Sequence, residues 1–163
     1  MLDNLTDLVK QYAGDAIINN PSIPNERNDE AITDASDSII SGLKGAVAGG
    51  NVGGLLDLFK GGEHTAVSSP VTQNIQAGFV QNLVQKFGLD HAKAGHIASS
   101  LIPLVLKKFV HKTNDPSDNS FDLQNILGHL TGGAGVGDLL KNFGGSNNNE
   151  EGGMLGKIKG MFN

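Results

Sequence analysis

The chain contains no cysteine. Disulfides, thiolate metal sites, iron–sulfur clusters and thiol nucleophiles are thereby excluded, and the composition fits a reducing, cytoplasmic setting. Basic residues are few, with 12 Lys and Arg against 17 Asp and Glu, a net charge of -5 and a pI near 5.4. Nucleic acids are held by clustered cations that displace counterions, so nucleic acid is not an expected partner. Long apolar runs are missing too. The longest, residues 101–106, contains Pro103 and falls far short of the roughly 20 residues a bilayer requires, so no transmembrane segment is expected. The first twenty residues carry Asp3, Asp7 and Asp15 and lack the basic start and unbroken apolar stretch of a secretory signal. No stretch alternates with period two for long enough to argue a strand.

Catalytic and cofactor motifs are equally scarce. His64, His91, His96, His111 and His129 are the only side chains that titrate near neutrality without perturbation. Two imidazoles share a helix face at a spacing of about four, whereas His91 and His96 are five apart, so they read as surface or cap residues. Gly133, Gly135 and Gly137 lack the preceding strand, the third glycine at the right offset and the downstream acid of a dinucleotide loop, and read as linker. Neither a phosphate-binding Gly-Lys-Ser/Thr nor a Gly-x-Ser-x-Gly elbow occurs. Glu26, Asp29, Glu30, Asp34 and Asp37 lack the alternation and glycine of a calcium loop. Acids near a helix N-terminus are stabilising without any ligand, so the cluster reads as a solvated face. No catalytic residue, metal or cofactor is assigned, and the protein is expected not to be an enzyme.

What the chain does contain is helix-forming apolar periodicity broken by glycine. Leu, Ile, Val and Phe exceed a quarter of the 163 residues, above the roughly 20% below which chains tend to stay disordered. The 23 glycines are about twice the average share of roughly 7%. They cluster in residues 49–62, 132–145 and 152–160, which read as hinges or linkers. Leu2, Leu5, Leu8, Val9, Tyr12, Ala16 and Ile17 predict a first helix to about Asn19, and Pro21 and Pro24 interrupt it. A second helix is expected over residues 26–48, with Ile32, Ala35, Ile39, Leu43 and Ala46 or Val47 inward. Ser69 and Pro70 start another that Gly88 stops, and Asp90 caps a further one carrying Ala94, Ile97, Ala98, Leu101 and Ile102. Pro103 is expected to kink or restart that helix, the best candidate for the central element. A short helix over residues 122–130 completes the body.

The fold class read from this pattern is all-α. A compact multi-helix bundle is expected over residues 1–131, with N-terminal helices to 48 and a central core over 70–131. A mobile Gly/Asn-rich tail with short amphipathic helices, residues 132–163, follows. Leu55, Leu56, Leu58 and Phe59 form a two-turn segment between paired glycines, too short to be stable unless it docks. Similar runs occur at residues 5–10, 55–60 and 138–143, with a looser echo at 154–159. Their irregular spacing argues against a solenoid.

One family resemblance enters at Leu83-Val84-Gln85-Lys86-Phe87-Gly88-Leu89-Asp90, followed by Ala94, Ala98 and Leu101-Ile102-Pro103. This helix, glycine and alanine-rich helix leading to a leucine-and-proline step resembles the YidB-like family of bacterial proteins of unknown function. The resemblance covers about residues 49–145, leaves residues 1–48 unmatched and carries over no catalytic residue. It implies an all-helical, bacterial, cytoplasmic protein.

Two functions are compatible with these features. The first is a non-catalytic interaction or scaffold protein forming homo-oligomers or filaments, or docking another protein, with Leu55, Leu56, Phe59, Leu139, Leu140 and Phe143 as interaction residues. The alternative is a small apolar-ligand or lipid-binding helical module, with a cavity around Phe79, Leu83, Ile97, Leu101 and Leu104. Leu155, Ile158 and Phe162 on the last amphipathic segment read as partner docking or internal packing ahead of membrane-surface contact.

Overall fold

In the computed structural model, residues 2–132 are described, with the side chains of Leu2, Glu63, Leu123 and Gln124 left aside. Among them are seven α-helices and no strand. The all-α expectation holds, and residues 1–133 form one compact unit.

Helix α1, Leu2–Tyr12, buries Leu5, Leu8 and Val9. The expected continuation to Asn19 does not occur as α-helix. Gly14–Ile18 is a π-helical turn, in which the amides of Ile18 and Asn19 donate to the carbonyls of Ala13 and Gly14 at 3.0 and 2.8 Å. Glycine lowers the helical preference there, and the wider turn changes which side chains face inward. Ala13 and Ile17 are fully covered while Ala16 is half-buried and Ile18 is 39% exposed.

Helix α2, Asn28–Ala48, begins two residues later than expected, after a 3-10 turn at Asn25–Arg27. Its inner face holds Ala31, Ile32, Ala35, Ile39 and Leu43, while Ala46 and Val47 are half-buried. Helix α3, Val52–Lys60, is capped by the Asn51 side chain, which accepts from the Gly54 amide at 3.2 Å. Helix α4, Gly62–Ser68, follows the glycine-rich stretch 49–62 in a segment for which the sequence predicts no helix. Its Ala66 is buried, and the Ala66 carbonyl accepts from the Thr72 hydroxyl at 2.6 Å.

Helix α5, Pro70–Phe87, has the predicted bounds. Ser69 accepts from the Thr72 amide, and Gly88 takes the left-handed φ of 66° that releases the chain. Helix α6, His91–Thr113, is capped by Asp90 and runs through Pro103 without interruption. A mid-helix proline costs about 3 kcal/mol. Leu101, Ile102, Val105, Leu106 and Phe109 are all 0% exposed around it, and each contributes roughly 1.5–3 kcal/mol by burial, which outweighs that cost. After a 3-10 turn at Asn119–Phe121, Asp122 caps helix α7, Leu123–Leu130.

Helix α6 is the central element, as its all-round apolar character suggested. Helices α1, α3, α4 and α5 pack on it, and α2 lies against α1 and α5. Phe109 anchors the middle, edge-on to Phe59 at 5.8 Å and to Phe121 at 5.2 Å.

Candidate interaction surface

Helix α3 carries the first set of predicted interaction residues, and it docks within its own chain. Leu55, Leu58 and Phe59 are at most 1% exposed, whereas Leu56 is half-buried at the rim. Phe59 fixes the helix from both ends of the residue: its ring meets Phe109, and its carbonyl accepts from Asn114 Nδ2 at 2.8 Å. The expectation that Leu55 and Phe59 offer contact surface to a partner is therefore corrected. Two turns of helix cannot persist alone, and the core of the same chain supplies the support. Leu139, Leu140 and Phe143 lie outside the described residues, as do the expected tail segments.

Helix α1 docks in the same manner. In residues 5–10 and 55–60 the first, fourth and fifth positions are buried, the second is half-buried, and the third and sixth are exposed. A spacing of i, i+3 and i+4 puts three apolar side chains on one stripe, so two unrelated stretches of chain use one docking pattern.

Among the described residues, the large apolar side chains left exposed are Ile18, Val67 and Leu104, at 39, 47 and 38%. Leu104 had been placed in a possible ligand cavity with Phe79, Leu83, Ile97 and Leu101. Those four are at most 2% exposed in the packed core, whereas Leu104 faces the surface. Two surface clefts, one formed against Ile18 and Pro24 and one against Asn4 and Ser120, share no residue with that set.

The acidic start of α2 is only partly the solvated face expected. Glu26, Asp29, Glu30 and Asp37 are exposed, but Asp34 is 4% exposed, and its Oδ1 pairs with Lys86 Nζ of α5 at 2.5 Å. That hydrogen bond raises the Lys86 ammonium above its ordinary pKa. Beside it, Arg27 donates from Nε and Nη2 to the Glu30 carboxylate and from Nη1 to the Lys86 carbonyl. The Arg27 bonds hold the Glu30 carboxyl below its usual range. The group is a polar clamp between α2 and α5. Its signal was invisible in the sequence, because Lys86 is 52 residues from Asp34.

His64, His91, His96, His111 and His129 are all exposed. No group of three or more His, Asp or Glu among the described residues is placed to hold a metal ion, and no described helix is long and apolar enough to cross a membrane. No protein-family model matches the chain, and no curated protein or solved structure matches it either.

Proposed function

We propose that this chain is a non-catalytic, self-associating interaction protein that builds homo-oligomers or filaments in the cytoplasm. One observation carries the reading. The same short amphipathic docking unit is used twice in the folded body, at Leu5, Leu8 and Val9 and at Leu55, Leu58 and Phe59. Further short apolar segments then follow in a chain whose packed unit closes at Gly133. Leu139, Leu140 and Phe143 stay the candidates for contact, whereas Leu55 and Phe59 belong to the core. Short segments that cannot hold a helix alone gain stability by docking, and another copy of the chain is a surface on which they can dock.

Sedimentation velocity across a concentration series, with electron micrographs of the same samples, tests the reading. A sedimentation coefficient that climbs with concentration, or discrete assemblies on the grid, supports it. A single monomer species throughout contradicts it.

A further inference from the structure

Charge is divided unevenly along the chain. Residues 1–64 carry ten acidic and four basic side chains, whereas residues 65–113 carry one acid, Asp90, and five lysines. Helix α6 alone has four lysines, three histidines and no acid. Lys93, His96, Ser100, Leu104, Lys107 and His111 recur on it at spacings of three and four, so they share one stripe. Lys107 is half-buried and the other five are exposed, Leu104 at 38%.

The acidic counterpart opens α2. Glu26, Asp29, Glu30 and Asp37 are exposed there, and the Asp29 side chain, 87% accessible, meets Lys10 at 3.5 Å. Immediately before Glu26 in the chain lies an open cleft of about 450 Å³, lined by Ile18, Pro21, Ile23, Pro24 and three asparagines. Helices α2 and α6 both pack on α1 and α5 and make no extensive contact with each other, so the two charged stretches do not cover one another within a chain.

We propose that the outer stripe of α6 docks on the entrance of α2 in a second copy of this chain, with Leu104 entering the cleft at Ile18 and Pro24 and with Lys107 and Lys108 along Glu26, Asp29 and Glu30. The inference rests on the self-association reading above and adds a contact to it. Two observations select another copy as the occupant. Ile18 and Leu104 are two of the three large apolar side chains left exposed among the described residues. Each also stands beside a charged run of opposite sign, acids directly after the cleft and lysines one turn after Leu104. Opposite potentials orient an encounter, and like faces repel. Exposed ion pairs add little affinity each, so this face orients copies rather than holding them alone. Because it joins two different surfaces, the contact gives a ring if the rotation closes and a filament if it does not.

The test is sedimentation equilibrium of the full chain, of Lys107→Glu/Lys108→Glu, of Glu26→Lys/Asp29→Lys, and of the two variants mixed in equal amounts, with circular dichroism on each. Either variant alone is expected to keep the wild-type helicity and to associate at least about fivefold more weakly. The mixture should recover most of the loss, since each variant supplies the face that the other lacks, and a damaged fold would not be repaired by mixing. Leu104→Gln, which leaves every charge in place, is expected to weaken association as well. A wild-type chain that never associates overturns both this inference and the self-association reading. Association unchanged in both charge variants overturns this inference alone. Weakening that the mixture does not relieve overturns the pairing of these two faces, and undiminished association of Leu104→Gln overturns the seating of Leu104 in the cleft.

Discussion

The guanidinium carbon of Arg27 lies 4.1 Å from the centre of the Phe87 ring, so a residue at the entrance of α2 covers the last aromatic of α5. The same group holds Glu30 with two nitrogens and reaches the Lys86 carbonyl at 3.0 Å with a third. A planar fork makes these contacts together, whereas an ammonium is a point charge that cannot. Arg27→Ala is expected to lower the thermal midpoint, and Arg27→Lys to recover only part of the loss. A lysine variant that melts with the wild type would show that charge alone matters here.

Phe59 is expected to behave as a core residue. Phe59→Ala should cost about 3–5 kcal/mol and Leu58→Ala about 2–5 kcal/mol, read from urea unfolding. The corresponding loss of helical signal should accompany any change in assembly. A Phe59→Ala chain of undiminished stability that merely fails to associate would return Phe59 to the surface role the sequence suggested.

Two kinds of helical glycine separate by what surrounds them. A Cβ on Gly42 would run into the Ile75 side chain where α2 crosses α5, whereas one on Gly45 or Gly78 would meet nothing within 4 Å. Gly42→Ala is expected to destabilise by about 1–3 kcal/mol through overpacking. Gly45→Ala and Gly78→Ala should stabilise by up to about 1 kcal/mol, since alanine suits a helix interior better. Equal effects at all three positions would contradict the close crossing of α2 and α5.

Stability should fall in acid for a definable reason. Arg27 hydrogen bonds lower the Glu30 carboxyl from 4.5, the Lys93 amide lowers Asp90 from 3.8, and the Lys112 hydrogen bond lowers Asp118 from 3.8. A carboxyl depressed in the folded state contributes stability that is present above its unfolded value and lost as pH falls through the folded one. The urea midpoint should therefore hold from neutrality to about pH 5 and decline below about pH 4. Asp118→Asn should flatten part of that decline. A midpoint that stays level to pH 3 would be inconsistent with these ionised contacts. At the alkaline end the sign reverses. Asp34 and Asp118 raise Lys86 and Lys112 above 10.5, and that stability is lost as pH rises through their folded values.

The helices whose ends carry their own signals were legible in the sequence. Ser69 and Pro70, Gly88, Asp90 and Asp122 mark the bounds of α5, α6 and α7 with local hydrogen bonds or a positive φ, so a few adjacent residues suffice to place them. Helix α4 escaped notice because Gly61 and Gly62 look like a linker, and only Ala66 and its neighbours on α6 give the segment a side to bury. The helix does not restart at Pro103, whose local penalty is visible in the sequence while the surrounding burial that offsets it is not. The docking pattern was half-legible. The repeat itself could be seen, but which of its positions face a core became clear only once two copies were seen docked.

The most direct measurement of the central claim is the light-scattering mass of the full chain beside a chain ending at Gly133, over one concentration series. The expected result is a full-chain mass that grows with concentration while the shorter chain stays at its monomer mass with its helices intact. The same number of copies per particle for the two chains at every concentration would contradict it.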